Sequence, residues 1–402
     1  MNILTPSQTG SLPGYLFHQP PCSKPFPHVV EIGDAWGKIG SGIGDERSAE
    51  ITALGEYFER RHFYMEVASE RRTTLDGVLE FDEVARFREA FLQTSRRAIT
   101  PSQIDNHSFG MTKAYRTSDF SGCFVPTVML SLTHIKGDPD NEIYPERDTC
   151  GCSFHVSSEL SIFGAIKESL ERQFLTRFWL TKICICKWSA LELDNLLRGT
   201  ASHGLLELLC KGGEVLALDI SDERFPGKCI VLIYGSRNSS RHVQYCAGMA
   251  YANSLRDALE KSLLELWQTF RFMHLFGALK KDFTEIGDPY LKHFLSCNNF
   301  STFEELAATA ESSLQPQRQS FSTADMSANG LLRSLRELDI EGYLYSKKVM
   351  QSGNYYTFSK FVSPSLFLHM NNARGINLKN RYSDTFSGHI NPVRRAFMVP
   401  FP

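Results

Sequence analysis

The sequence predicts a mixed α and β fold, on three observations. Apolar residues recur at helical spacing over residues 46–66, 81–97, 161–179 and 254–276. Short runs with β character stand at 123–132, 214–220, 229–234, 343–349, 354–362 and 365–370. The strands and helices alternate irregularly along the chain, and at 402 residues it can bury a sizeable core without staples.

Taken in order, residues 1–44 are rich in Pro and Gly and predict an irregular N-terminal segment, closing in the glycine-dense stretch Gly37 to Gly44. That stretch lacks the Gly-Lys-Ser/Thr ending of a Walker loop, so a flexible turn into the next helix is preferred to phosphate contact. In the first helix Ile51, Leu54, Tyr57 and Phe58 share a face. Pro126 makes 123–132 an edge strand or a strand start. The stretch 192–211 reads as helix, and Ser254 is placed to cap the helix that follows it. Residues 312–329, with Gln315, Pro316, Gln317 and many Ser, read as a polar loop.

Composition removes several functions. With 43 Lys and Arg against 45 Asp and Glu, and no basic cluster, nucleic acid is a poor partner. The first twenty residues do not read as a signal peptide, and no apolar run approaches the roughly 18 residues a membrane span needs, so the expected address is the cytoplasm. Ten Cys are too sparse for a disulfide scaffold. Cys150/Cys152 and Cys184/Cys186 invite a zinc reading, but zinc prefers Cys-x2-Cys, and Ile183 to Cys186 reads as a strand with both thiols buried on one face.

Three of the helices repeat one device: Glu56-x-x-Glu59-Arg60, Glu168-x-x-Glu171-Arg172 and Glu265-x-x-Gln268. Residues three apart on a helix are neighbours, about 5–6 Å between Cβ atoms, so each motif offers two oxygen-bearing side chains on one face. Such motifs are commonly solvated ion-pairing faces. Here Glu56, Glu168 and Glu265 sit among apolar residues, and no comparable basic cluster is visible beside them. Magnesium is the natural partner, because it takes oxygen ligands and bridges carboxylates to phosphates. The five glutamates carry five negative charges and would repel a triphosphate of about −4 unless Mg2+ and basic side chains intervened. Arg60, Arg172 and Lys261 are candidates, with Lys261 on the Glu265 face or simply solvated.

These motifs, their order and the ending Val399-Pro-Phe-Pro402 resemble the YcaO family of ATP-dependent peptide-modifying enzymes. The resemblance runs through Gly55-Glu-Tyr-Phe-Glu-Arg-Arg-His62, Asp148-Thr-Cys-Gly-Cys-Ser-Phe-His155, Tyr251-Ala-Asn-Ser-Leu255, Val362-Ser-Pro364, Phe367-Leu-His-Met-Asn-Asn372 and Met398-Val-Pro-Phe-Pro402. It implies a single α+β domain over 1–402, with mixed sheets packed by helices that converge on an ATP and Mg2+ site. Carried over by position, Glu56, Glu59, Glu168, Glu171 and Glu265 would hold or orient magnesium. Arg172, Lys261, Gln268 and Arg60 would serve the nucleotide, with Ser153 a further contact. Two positions depart from the family: Leu160 stands where an acidic residue is common, and Lys261 where many members carry Arg.

The implied activity is cyclodehydration of Ser and Cys in a ribosomal precursor peptide to oxazolines and thiazolines, by phosphorylation of the amide oxygen. The Pro-containing tail, 396–402, would reach the site, and the carboxylate of Pro402 would act as base or positioning group. The resemblance also implies a Gly/Ser/Cys-rich precursor peptide, a leader-binding subunit and a partner dehydrogenase carrying FMN. Thioamide or macroamidine formation, and a non-catalytic nucleotide- or peptide-binding scaffold, are the alternatives.

Overall fold

The computed structural model describes residues 14–21, 23–34, 39–280, 286–311, 325–351, 353–371, 373 and 375–401. An N-terminal antiparallel sheet is formed by β1 (Gly14–Gln19), β2 (His28–Asp34) and β3 (Ile39–Gly44), and it leads into α1 (Glu46–Met65). The expectation of an irregular segment up to residue 44 is therefore wrong for these three strands, and the flexible turn is wrong over 39–44; residues 1–13, 22 and 35–38 lie outside the described residues. The glycines of β3 serve contact instead. A Cβ on Gly40 would lie 2.1 Å from the Ala53 carbonyl oxygen, and one on Gly42 would lie 1.9 Å from that of Ala49. Strand and helix meet backbone to backbone, an approach open only to glycine.

A six-stranded sheet follows, comprising β4 (Arg71–Thr73), β5 (Phe109–Arg116), β6 (Gly122–Pro126), β7 (Cys152–His155), β14 (Tyr343–Gln351) and β15 (Asn354–Val362). Its order is β4-β5-β14-β15-β7, with β6 also on β5, and every pairing is antiparallel. Helices α2 (Phe81–Thr94), α3 (Pro101–Asp105), α4 (Thr127–Leu130) and α5 (Asp140–Ile143) belong to this half. The segment 123–132 is only half strand, because the chain turns helical at Thr127, directly after Pro126.

The second half is built on α6 (Ser158–Thr181) and α9 (Leu255–Ala278), each capped by a serine hydroxyl, Ser157 and Ser254. Between them lie β8 (Ile183–Cys184), β9 (Lys187–Ser189), α7 (Ala190–Leu197), α8 (His203–Gly212), β10 (Glu214–Asp219), β11 (Lys228–Gly235) and β12 (Tyr245–Ala252). Strands β9 to β12 form an antiparallel sheet in the order β12-β11-β10-β9. The helix expected over 192–211 breaks at Gly199, which has φ +82°. The strand expected over Ile183–Cys186 holds for two residues, and only Cys184 is fully buried. Helices α10 (Pro289–Ser296), α11 (Phe300–Ala307) and α12 (Ala328–Glu337) and strand β13 (Ala310–Glu311), parallel to β8, precede β14, and three short 3-10 helices between Ser383 and Ala396 follow β15.

Two further expectations change. Residues 365–370, all buried but the half-buried Leu368, are not a strand, because side chains satisfy their backbone. Gln173, Asn377 and Asp148 accept from the N–H groups of Phe367, Leu368 and Met370. Of the polar loop 312–329, residues 312–324 lie outside the described residues, Ser327 caps α12, and 328–329 are helical.

The core has two main parts. The larger gathers α6, α9 and β10–β12, and includes Val399 and Phe401 of the tail, both buried. Trp179 donates to the Phe397 carbonyl at 2.8 Å and Tyr245 to that of Pro400 at 2.8 Å, so the tail is pinned through Phe401. Pro402, assigned a catalytic carboxylate above, lies outside the described residues. No helix among the described residues is long and apolar enough to cross a membrane.

Candidate active site

The three Glu motifs meet where α1, α6 and α9 face one another across β3 and β12. Glu56 on α1 accepts from the Ser41 N–H of β3 at 2.5 Å and pairs with Arg60 at 2.5 Å, while Arg60 also donates to the Ile39 carbonyl at 2.8 Å. Gln268 on α9 reaches the same strand, donating to the Ser41 hydroxyl at 3.0 Å. A strand that packs on α1 through glycines thus ties α1 to α9. On the other side Glu171 of α6 accepts from the Tyr251 N–H of β12 at 2.7 Å and sits 3.7 Å from the Lys167 ammonium. Strand β12 in turn lies on α9 through Gly248, where a Cβ would fall 2.1 Å from the Leu266 nitrogen.

Protonation equilibria trace the convergence. Burial, then the charge of Glu56, pushes the Glu59 carboxyl up to about 8, against the opposing charges of Arg60 and Lys360. Burial, then Glu59 from a different helix, pushes Glu168 well above the usual carboxylate range, with Arg172 opposing. Burial, then Glu171, pushes Glu265 up to about 7. Glu56 is raised by burial, with Arg60 opposing. The Arg172 guanidinium loses hydration by burial, but Glu171, Glu168 and Glu265 outweigh this and hold it charged. Glu265 keeps solvent-accessible surface while protein atoms crowd it enough to raise its protonation, and a concave recess reconciles the two.

Charge coupling thus places Glu56, Glu59, Glu168, Glu171, Glu265, Arg60 and Arg172 in one cluster, and Gln268 joins it through Ser41. Lys261 is exposed, one turn before Glu265, and forms no ion pair among the described residues. Ser153 is half-buried on β7, its hydroxyl against Gly164 one turn before Glu168, where a Cβ would come within 2.4 Å. It makes no hydrogen bond to the cluster among the described residues.

The absence of a basic cluster, an expectation from sequence, is corrected. Lys167 joins Arg60 and Arg172 beside the carboxylates, and the Lys360 ammonium also acts on Glu59. Lys167 was legible as the neighbour of Glu168. Lys360, on β15, had no local signal. Ser41 was hidden in a stretch read as a turn, and Tyr251 contributes only backbone.

The donor set fits a hydrated divalent cation. Among the described residues no three of the five carboxylates bring their oxygens within 4.8 Å of one another, so they do not cage one bare ion as they stand. Magnesium keeps several waters and takes one or two carboxylates plus phosphate oxygens, which suits carboxylates spread along a recess. The group that does meet that distance, Asp194, His203 and Glu207, is accounted for by pairing of Asp194 with His203 and Arg198, each at 2.7 Å. Neither Cys-x-Cys pair acquires a third metal-competent side chain among the described residues.

Comparison with known proteins gives the family. The family model described as YcaO cyclodehydratase, ATP- and Mg2+-binding, matches residues 40–349. The chain is 32% identical over 396 residues to the Microcin B17-processing protein McbD of Escherichia coli, covering 97% of each. It superposes on a chain of the E. coli microcin synthetase McbBCD complex with TM-score 0.86 and 31% identity, covering 100% of both. YcaO from Methanopyrus kandleri, solved with AMPPCP and Mg2+, shares the fold at TM-score 0.56 and 13% identity over 91% of this chain and 89% of that one. The match spans most of the sequence, from the glycine strand to β14, and the chain belongs to the YcaO cyclodehydratase family.

Proposed function

We propose that the chain is an ATP- and Mg2+-dependent cyclodehydratase that converts Ser and Cys of a ribosomal precursor peptide to azolines, in the cytoplasm. It works within a synthetase, as its relative does in the McbBCD complex, which has also been solved with pro-MccB17 bound. A leader-binding subunit and an FMN-carrying dehydrogenase complete that assembly. The observation that carries the reading is that the glutamates of three helices lie close enough for the charge of Glu56 to raise the protonation of Glu59, those of Glu59 and Glu171 to raise that of Glu168, and that of Glu171 to raise that of Glu265.

Glu56, Glu59, Glu168, Glu171 and Glu265 would hold Mg2+, which when bound would neutralise charge on the transferring phosphoryl group. Arg60 and Arg172 supply fixed positive charge beside the phosphates, Gln268 and Ser41 join the two walls of the recess, and Lys261 offers a cation at the rim. In the reaction the peptide's Ser or Cys side chain adds to the preceding carbonyl carbon. The oxygen thus freed takes the γ-phosphoryl group, and phosphate leaves as the C=N bond closes. Orientation of the peptide against the phosphoryl donor supplies much of the rate. Pro402, with its carboxylate, is proposed as the group that accepts or positions a proton, since the tail is anchored beside α6 and α10 by Trp179 and His293.

The test is the double substitution E168Q/E171Q in the assembled enzyme. Phosphate release and cyclisation fall about 100-fold or more, with the protein still folded and assembled at the assay temperature. Release at the wild-type rate would leave a nucleotide-binding scaffold. In the wild type, loss of one water per modified residue by mass spectrometry marks ring formation, whereas oxygen-to-sulfur exchange marks thioamide chemistry.

A further inference from the structure

Behind the carboxylate recess a second, narrow recess is lined by Arg147, Asp148, Cys150, Lys360, Phe367 and Leu368, among others. It adjoins the first: Cys150 senses the charges of Arg172 and Glu168, and the Lys360 ammonium acts on Glu59. Lys360 is 4% exposed, yet no carboxylate comes within ion-pair distance of it among the described residues. Its one hydrogen bond there is to the Asp148 carbonyl, at 3.1 Å, leaving two of its three N–H donors unused. A buried ammonium without a close counter-ion is costly and asks for an anion at some stage of turnover.

The ammonium is also held still. The Asp148 carboxylate accepts from the Cys150 N–H at 3.1 Å and the Met370 N–H at 2.8 Å, so the carbonyl that anchors Lys360 belongs to a locked loop. Gly151 closes that loop at φ +72°, where a Cβ would meet the Phe361 carbonyl at 2.5 Å. Phe63 of α1 lies under the ammonium, 5.9 Å from ring centre to Nζ. Were Lys360 only a counter-charge for Glu59, the two would close on each other; the loop keeps them apart instead.

We infer that Lys360 is a catalytic residue, its ammonium donating to the peptide oxygen that becomes negative when the Ser or Cys side chain adds to the carbonyl. The inference rests on the cyclodehydratase reading. In that step the new C–O or C–S bond forms, the carbonyl π pair moves to oxygen, and the nucleophile gives up its proton. The oxygen then bonds to the γ-phosphorus as the bond to ADP breaks. When C=N forms, the amide N–H proton is lost and the C–O bond breaks with departure of phosphate; one of the two protons ends on phosphate and the other in solvent. Lys360 remains protonated throughout, as an oxyanion donor does.

The experiment compares wild type, K360M and K360R in the assembled synthetase, with the Gly/Ser/Cys-rich precursor peptide. K360M lowers kcat for cyclisation about 100-fold or more, the loss typical of removing one oxyanion donor. Peptide KM and the affinity for a non-hydrolysable ATP analogue with Mg2+ stay within about threefold of wild type, because that donor acts only on the developing charge. K360R recovers about tenfold over K360M by restoring the charge. Should K360M fail to fold, K360Q, which keeps a donor on the Asp148 carbonyl, replaces it with the same expected loss. Wild-type kcat in either variant overturns the inference, as does a fall in analogue affinity with kcat intact at saturating nucleotide, which would make Lys360 a phosphate ligand. Absence of ring formation by the wild type would instead remove the cyclodehydratase reading itself.

Discussion

Loading the carboxylate recess with metal must expel protons, and the number can be worked out. At pH 7 a carboxyl titrating at about 8, Glu59, is roughly nine-tenths protonated, and one at about 7, Glu265, is roughly half protonated. Metal ligands must be ionised, so binding Mg2+ with a non-hydrolysable ATP analogue at pH 7 releases about 1.4 protons from this pair, and Glu168, also raised, adds to it. At about pH 9.5 both groups are already ionised and the release from the pair falls close to zero. Isothermal titration in two buffers of different ionisation enthalpy, with the protein-free analogue and Mg2+ as reference, measures the count. A release below about 0.3 protons at pH 7, or one independent of pH, would refute the claim that these carboxylates take the ion. The same shifts govern the metal-free protein. Both folded-state values lie above the ordinary 4.5, so the folded chain binds more protons than the unfolded one. Their contribution to stability is complete below about pH 4.5 and is lost as pH rises through about 7 and then 8. Melting without metal should therefore fall across that window, and Mg2+ should flatten the dependence.

Other perturbations test the frame around the recess. G42A drives a Cβ to 1.9 Å from the Ala49 carbonyl oxygen, so β3 must lift from α1; the overpacking costs about 1–3 kcal/mol in urea unfolding, and phosphate release falls with it. F401A removes a side chain that is 1% exposed in the larger core; it should cost about 3–5 kcal/mol by the same measurement, whereas a loosely attached tail would show no change. Q268A cuts the 3.0 Å bond to Ser41; losing about 0.5–1.5 kcal/mol of positioning weakens ATP-analogue affinity about two- to twelvefold in equilibrium titration, and unchanged affinity would separate that contact from the nucleotide.

How far the sequence revealed the molecule depended on whether the signal was local. Helices α1, α6 and α9 were visible because apolar spacing and a Glu-x-x-Glu or Glu-x-x-Gln face, with the Ser254 cap for α9, are properties of neighbouring residues. With them came all five carboxylates. Strand β12 escaped notice because Tyr245–Ala252 is mostly Ala, Gly, Cys and Met, with little of the β-branched composition that marks a strand, although every residue of it is buried. Residues 365–370 misled in the opposite sense: apolar alternation was present, but Gln173, Asn377 and Asp148 supply the hydrogen bonds a ladder would have made. Lys360 could not have been nominated at all, since it stands nearly two hundred residues from Glu168 and meets the recess only through long-range packing of β15 on β7 and α6.

Gly40, Gly42 and Gly248 carry no functional group, yet they set the distance at which β3 and β12 ride on α1 and α9. In a saturation mutagenesis screen these three positions should be as intolerant as the glutamates, and an observer with the tolerance map alone would enrol them as catalytic. Their intolerance would extend even to alanine, the mildest replacement, while large core positions elsewhere accept aliphatic exchanges. For anyone redesigning this scaffold toward other peptides, the separation between main chains is therefore the quantity to hold constant.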